Sequence, residues 1–116
     1  MFKALFVAAV AAALIALPAY GSSSAVKLTG ETGPGFHIDV EKAGKDLKTI
    51  KAGTYKIKVE DKSSIHNFHL FGPGVSKKTG VDFVGSRTWK VTLRVGTYKF
   101  RCDVHPKMMR GSFMVS

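Results

Sequence analysis

The chain has 116 residues, and its 18 lysine and arginine residues outnumber its 8 aspartate and glutamate residues. A chain of this length builds one domain around a single core and has no room for a second. Its one cysteine excludes a disulfide within the chain. The net charge of +10 favours acidic proteins or anionic surfaces as partners. The lysines are dispersed, without a basic helix or interleaved aromatic residues, so we expect no nucleic acid to bind.

The first residues have the three-part pattern of a secretory signal peptide. Lys3 supplies the positive charge, residues 4–17 form an apolar run, and Pro18 and small residues follow. The run is shorter than the ~20 residues that span a bilayer, which disfavours a retained anchor. We predict a signal peptide over residues 1–21, with cleavage after Ala25 as the alternative, and a single domain over residues 26–116. The mature protein is then periplasmic or secreted, with no stable membrane insertion after cleavage.

Beyond the leader, short runs of alternating apolar and polar residues predict β-strands. In residues 55–59, for example, Tyr55, Ile57 and Val59 alternate with charged residues, a period of two that suits a half-buried strand. Glycine-containing turn signals separate the runs, and the segment 41–50 is expected to hold at most one short helical turn. The predicted strands are 25–29, 36–40, 55–59, 66–71, 89–95, 97–102 and 112–115. This pattern predicts an all-β sandwich or small barrel of six to eight strands.

A cluster of metal-ligand residues follows the strand 97–102. The period of two places Cys102 on the inward face at the end of that strand. His105 comes three residues later, and Met108 and Met109 follow within the same loop. An exported cysteine without a disulfide partner is a liability unless it is buried, bonded to another chain or bound to a metal. Thiolate, imidazole and thioether ligands together suit copper, and an electron-transfer copper site requires one more histidine.

The segment 64–70 offers two candidates for that histidine. His66 and His69 are separated by an odd number of residues, so in a regular strand their side chains point to opposite faces. We therefore expect only one of them to bind the ion. A methionine would supply the fourth, weakly bound axial ligand of such a site. The spacing of the loop leaves both Met108 and Met109 as candidates for it.

The two segments resemble those of the cupredoxins, the family of type 1 blue copper proteins. Residues 66–69 read His-Asn-Phe-His, similar to the His-Asn-x-His segment of amicyanin. Residues 102–106 read Cys-x-x-His-Pro, and a later Met-Arg-Gly completes the likeness to its copper loop. Plastocyanin and pseudoazurin are similar in arrangement. The resemblance extends from about residue 36 to the C-terminus and implies a cupredoxin-like Greek-key fold that binds one copper ion.

The resemblance also implies roles for individual residues. Asn67 corresponds to the residue that ties the upstream ligand segment to the cysteine loop, which would orient the ligands. The implied axial ligand is Met109, because Gly111 fixes where the closing strand begins, and Met108 is the alternative. For the upstream ligand His69 is the alternative. The implied ligands are His66, Cys102, His105 and Met109.

The predicted function is single-electron shuttling between Cu(I) and Cu(II) through the edge of His105. The protein is expected to be a monomer, not an enzyme, and to meet a redox protein that is acidic at its docking surface. The alternative is a periplasmic or extracellular copper carrier or scavenger, since thioethers favour Cu(I). A metal-free interaction domain of the same fold is a third hypothesis. It would require the cysteine and histidine cluster to be coincidental.

A docking surface is expected around the loop. Pro106, Met108 and the Gly-Pro-Gly segment 72–74 are predicted to form an apolar patch. Lys107 and Arg110 are predicted at its rim. A positive rim favours an acidic partner and a transfer rate that falls as the ionic strength rises.

Overall fold

The structure is a computed structural model and describes residues 26–116. The predicted signal peptide and both cleavage positions lie outside the described residues. Ten strands make up the described part of the chain. They are β1 (Val26–Thr32), β2 (Ile38–Lys42), β3 (Lys45–Asp46), β4 (Thr49–Ile50), β5 (Gly53–Asp61), β6 (His69–Gly72), β7 (Val75–Lys78), β8 (Gly85–Leu93), β9 (Gly96–Arg101) and β10 (Arg110–Val115).

The strands form two five-stranded sheets. The first has the order β3-β2-β1-β5-β8 and the second the order β4-β10-β9-β6-β7. The pairs β1/β5 and β4/β10 are parallel, and the other pairs are antiparallel. The all-β prediction is confirmed. The strand count exceeds the predicted six to eight because β3, β4 and β7 have only two to four residues, too short to show an alternating pattern.

The core lies between the sheets and follows from the alternation within each strand. In β5, Tyr55, Ile57 and Val59 are buried while the charged residues between them are exposed or half-buried. In β9, Tyr98 and Phe100 point inward in the same way. Burial of such side chains is the main driving force of the fold, at ~25 cal/mol per Å² of apolar surface. The inward face of β9 leads directly to Cys102.

The segment 41–50 contains no helical turn, which is compatible with the expectation of at most one: Ala43 and Gly44, both with positive φ, turn the chain from β2 into β3. The predicted start of the strand 36–40 is wrong. Phe36 does not point into the core, because β2 begins only at Ile38, and the Phe36 side chain is 57% exposed. The preceding residues form a turn in which the Gly33 amide donates to the His37 carbonyl at 2.7 Å.

The connections that carry the candidate ligands meet at one end of the sandwich. β5 ends at Asp61, and the segment 62–68 crosses from the first sheet to the second. β9 ends at Arg101, and the loop 102–109 returns the chain into β10. Both segments lie at the end where β9 terminates. Within residues 26–116, no helix is long and apolar enough to cross a membrane.

Candidate metal centre

The loop 102–109 is closed by backbone hydrogen bonds. The Cys102 amide donates to the Met109 carbonyl at 3.0 Å, the His105 amide to the Cys102 carbonyl at 3.1 Å, and the Met109 amide to the His105 carbonyl at 2.9 Å. The hairpin register pairs Arg101 with Arg110, so the next pair along is Cys102 with Met109. Directly opposed residues of an antiparallel pair share a face of the sheet. Both side chains therefore point into the sandwich.

The Cys102 thiol is fully buried and lies between two imidazole rings. Its Sγ atom is 3.8 Å from Nδ1 of His66 and 3.7 Å from Nδ1 of His105. The candidate ligand atoms of the three residues all lie within 4.8 Å of one another. His66 is buried and His105 is half-buried. Three residues from two distant segments thus aim their donor atoms at one point.

The spacing of these atoms fits a shared metal ion. Thiolate and imidazole ligands bind a metal such as zinc at ~2.3 and ~2.0 Å, respectively. With an angle near 120° at the ion, those lengths separate sulfur from nitrogen by ~3.7 Å, whereas a tetrahedral angle gives ~3.5 Å. The Sγ to Nδ1 distances of 3.7 and 3.8 Å are close to these separations, so the three residues fit one shared ion. Two histidines and one cysteine form the donor set of electron-transfer copper sites.

The two methionines of the loop occupy different environments. Met109 is fully buried and shares the inward face with Cys102, whereas Met108 is 63% exposed. The difference follows from the hairpin register, which places Met109 opposite the cysteine. The structure therefore buries Met109 on the face of the sheet that carries Cys102 and turns Met108 towards solvent.

Of the two upstream histidines, only His66 lies in the cluster. His69 begins β6, where its Nδ1 is 2.9 Å from Oδ1 of Asp103 and its Nε2 is 3.3 Å from Oγ of Ser76. The predicted strand 66–71 starts later than expected, so residues 66–68 are part of the crossing segment. Strand alternation therefore does not set the direction of His66, but the expectation that only one of the two histidines reaches the site agrees with the structure.

The chain is similar to several solved structures of rusticyanin and amicyanin. It is 20% identical to a reduced rusticyanin, with 81% of each chain covered and a TM-score of 0.56. It is 22% identical to rusticyanin from Thiobacillus ferrooxidans, covering 81% of this chain and 79% of that one at a TM-score of 0.54. A mutant amicyanin with Cu(I) is 18% identical, with 78% and 82% covered and a TM-score of 0.51. No protein-family model and no curated protein matches the chain.

This chain has the cupredoxin fold. Rusticyanin and amicyanin are both cupredoxins, and the two-sheet sandwich described above aligns with them over about four fifths of its length. The fold predicted from the sequence resemblance is thereby confirmed.

In this cupredoxin fold Asn67 joins the two segments that carry the candidate ligands. The Asp103 amide donates to Oδ1 of Asn67 at 2.8 Å, and Nδ2 of Asn67 donates to the Thr79 carbonyl and to Oδ2 of Asp103, each at 3.1 Å. Asn67 and Thr79 are buried. The predicted tie between the upstream segment and the cysteine loop is confirmed, and it fixes the residues next to His66 and Cys102.

Asp103 is a second anchor of the loop that the sequence analysis missed. Its burial opposes ionisation, but hydrogen bonds from His69, Asn67 and Arg101 outweigh that effect and lower the pKa of Asp103 to about 2. The carboxylate is therefore charged at neutral pH and accepts a bond from the Arg101 Nε at 2.9 Å. Its position directly after the cysteine is the only sequence signal that could have suggested this role.

Phe36 also belongs to the site, whereas the sequence analysis placed it at the start of the predicted strand 36–40. Its ring centroid is 5.0 Å from that of His105 and 5.5 Å from that of His66. The two histidine rings are themselves 4.9 Å apart in an edge-to-face arrangement. The phenyl ring thus covers the histidines from the side of the first sheet. The glycine-rich turn just before it was the available sign that this residue leaves the strand pattern.

The predicted contribution of the segment 72–74 to the docking patch is wrong. A Cβ at Gly96 would lie 2.8 Å from the Pro73 ring, and the Tyr98 hydroxyl donates to the Pro73 carbonyl at 2.6 Å. Gly96 begins β9, whereas Cys102 follows its end. The segment 72–74 therefore lies at the opposite end of β9 from the cluster.

Proposed function

We propose that this protein binds one copper ion at His66, Cys102, His105 and Met109 and carries single electrons. The observation that carries the proposal is the buried Cys102 sulfur held 3.7 and 3.8 Å from two imidazole nitrogens, with Met109 buried on the same face. A structure of rusticyanin described as a copper protein and the amicyanin structure with Cu(I) share this fold and support the assignment. A copper ion bound there would alternate between Cu(I) and Cu(II), accepting and releasing one electron.

The protein's own residues keep the ligands in one arrangement. Four backbone hydrogen bonds brace the loop 102–109, and Asn67 fixes it to the segment of His66. Phe36 shields the histidine rings from water on one side. Ligands held in this way move little when the charge of the site changes, so each electron transfer costs little reorganisation.

The half-buried ring of His105 is the proposed route for the electron. Exposed apolar side chains lie beside the ligands in the sequence: Ile65 precedes His66, Val104 precedes His105, and Met108 follows in the same loop. These side chains provide an apolar surface against which a partner can exclude water around the ring. The proposed route is short, because the His105 ring would bind the ion and is also partly exposed at this surface.

The partner is proposed to be a redox protein that is acidic where it docks. The net charge remains +9 when Lys3 is lost with the signal peptide, which draws an acidic protein to the periplasmic or secreted domain. The rate of electron transfer should therefore fall as the ionic strength rises. A rate with an acidic partner that does not depend on salt would contradict this part of the proposal.

Copper retention tests electron carriage against copper carriage. The mature protein, loaded with one equivalent of copper, is cycled between ascorbate and ferricyanide in the presence of a Cu(I) chelator. We expect the copper to stay with the protein through repeated cycles, because Cys102 and Met109 are fully buried. Complete transfer of copper to the chelator in the first reduced phase would contradict electron carriage.

One observation favours the copper carrier as the second candidate. Met108 places an exposed thioether next to the buried Met109. An exposed thioether beside the site could receive Cu(I) on its way to an acceptor, because this soft ligand favours the reduced ion. Under the carrier hypothesis Met108→Leu should slow release to the chelator several-fold, whereas under electron carriage both the wild-type protein and this variant should retain their copper.

A further inference from the structure

A shallow groove of about 460 Å³ lies on the outer face of the second sheet beside the loop. It spans β6, β9 and β10 and reaches Pro106 of the loop 102–109. We call it the β9–β10 groove. Its lining includes Phe71, Lys99, Arg101, Pro106, Arg110 and Ser112.

The groove concentrates positive charge that nothing in the described chain neutralises fully. Arg101 is directly opposite Arg110 in the hairpin register, and Lys99 is on the same face two residues before Arg101. Like charges directly opposite each other destabilise an antiparallel pair. Among residues 26–116, no carboxylate oxygen lies within 4.0 Å of the charged nitrogens of Lys99 or Arg110. A negative group in the groove would relieve this repulsion.

Arg101 is already held in place for such a group. Its Nε donates to Oδ1 of Asp103 at 2.9 Å, and its guanidinium carbon lies 5.1 Å from the centre of the Phe71 ring. The bond to Asp103 uses the Nε edge of the guanidinium, and the Phe71 ring lies against one of its faces. The N–H groups of the two terminal nitrogens remain able to donate hydrogen bonds to a carboxylate. A positioned arginine loses less side-chain entropy on binding than a free one.

We propose that the β9–β10 groove binds an extended acidic segment of a protein partner. Lys99 and Arg101 are separated by two residues of a strand, ~7 Å, which is also the spacing of alternate side chains along an extended peptide. Alternate carboxylates of the segment pair with Lys99 and Arg101, and Arg110 faces the second of them from β10. The groove ends at Pro106, in the same loop as His105, so a segment bound there holds the partner beside the His105 ring. The use of this contact for electron transfer rests on the proposed function.

The test is a titration of the copper-free mature protein with a short oligo-glutamate peptide, followed by backbone amide NMR. We expect the shifts to concentrate at Lys99, Arg101, Arg110 and Ser112. The double variant Lys99→Gln/Arg110→Gln should weaken binding about tenfold, equivalent to about 1.4 kcal/mol. Because the assay needs no copper, its failure does not bear on electron carriage, and a missing copper spectrum does not bear on the groove.

The matched control is Lys56→Gln/Lys90→Gln. These lysines are also directly opposite each other and exposed, but they lie on β5 and β8 of the other sheet. The proposal predicts less than twofold weakening for this control. Equal weakening by both double variants, no binding of the peptide, or equally tight binding of inorganic phosphate would overturn the proposal.

Discussion

Replacing Asn67 with alanine should destabilise the fold far more than its size suggests. The substitution removes three hydrogen bonds and leaves the buried Thr79 carbonyl and the Asp103 amide without their partner. Each neutral bond contributes ~1 kcal/mol net and a bond to a charged group ~1.5–3 kcal/mol, so we expect a loss of about 4 kcal/mol. For a domain of this size each kcal/mol shifts Tm by ~4–8 °C, which gives a decrease of about 15–30 °C.

Urea unfolding of the copper-free mature protein, followed by circular dichroism, measures this loss without any contribution from a metal. Ser64→Ala, an exposed neighbour in the same segment, is the control and should change the free energy of unfolding by less than ~0.5 kcal/mol. In a double-mutant cycle with Asp103→Ala, the coupling energy should be about 1–2 kcal/mol, since the two side chains bond directly. A loss below ~1 kcal/mol for Asn67→Ala would refute the role of Asn67 as the tie between the two segments.

Further predictions concern the loop, the acid limit of stability and the core. Met109→Ala should cost about 2–5 kcal/mol in urea unfolding and Met108→Ala less than ~0.5 kcal/mol, because only Met109 is buried. The pKa of Asp103 is about 2 in the folded protein and near 3.8 in the unfolded chain, so the ionised carboxylate stabilises the fold above about pH 4. This contribution of about 2 kcal/mol should be lost as the pH falls from 4 to 2. In Asp103→Asn the free energy of unfolding should change less over that interval. Gly72→Ala should lower stability by about 1–3 kcal/mol in thermal unfolding, since a Cβ there would overlap the Tyr98 ring.

The sequence predicts the strands of the sandwich where one face is buried along the whole strand. In residues 55–59 of β5 and in β9 the alternation of apolar and charged residues matches the burial, although β5 ends at the buried Asp61. The prediction fails at Phe36, because alternation shows which residues could share a face but not where hydrogen bonding begins. It also fails in the segment 41–50, where a turn at Ala43 and Gly44 produces strands too short to have a pattern.

The sequence predicts those parts of the candidate site whose residues lie close together on one loop. The unpaired Cys102 with His105 three residues later indicates a metal site without any structure. The choice between the methionines depends on the pairing of β9 with β10, which loop spacing alone does not specify. The contact between His69 and Asp103 joins residues 34 positions apart, so it depends on how β6 packs beside β9.

Addition of Cu(II) to the mature protein, followed by visible absorption and electron paramagnetic resonance spectra, tests the central claim most directly. The proposed centre predicts an intense thiolate-to-copper band that saturates at one equivalent and is absent in Cys102→Ser. Met109→Leu should alter the spectrum and Met108→Leu should not, since Met109 alone shares the buried face with Cys102. A colourless wild-type protein, or a spectrum that Cys102→Ser leaves unchanged, would contradict a type 1 copper centre at this site.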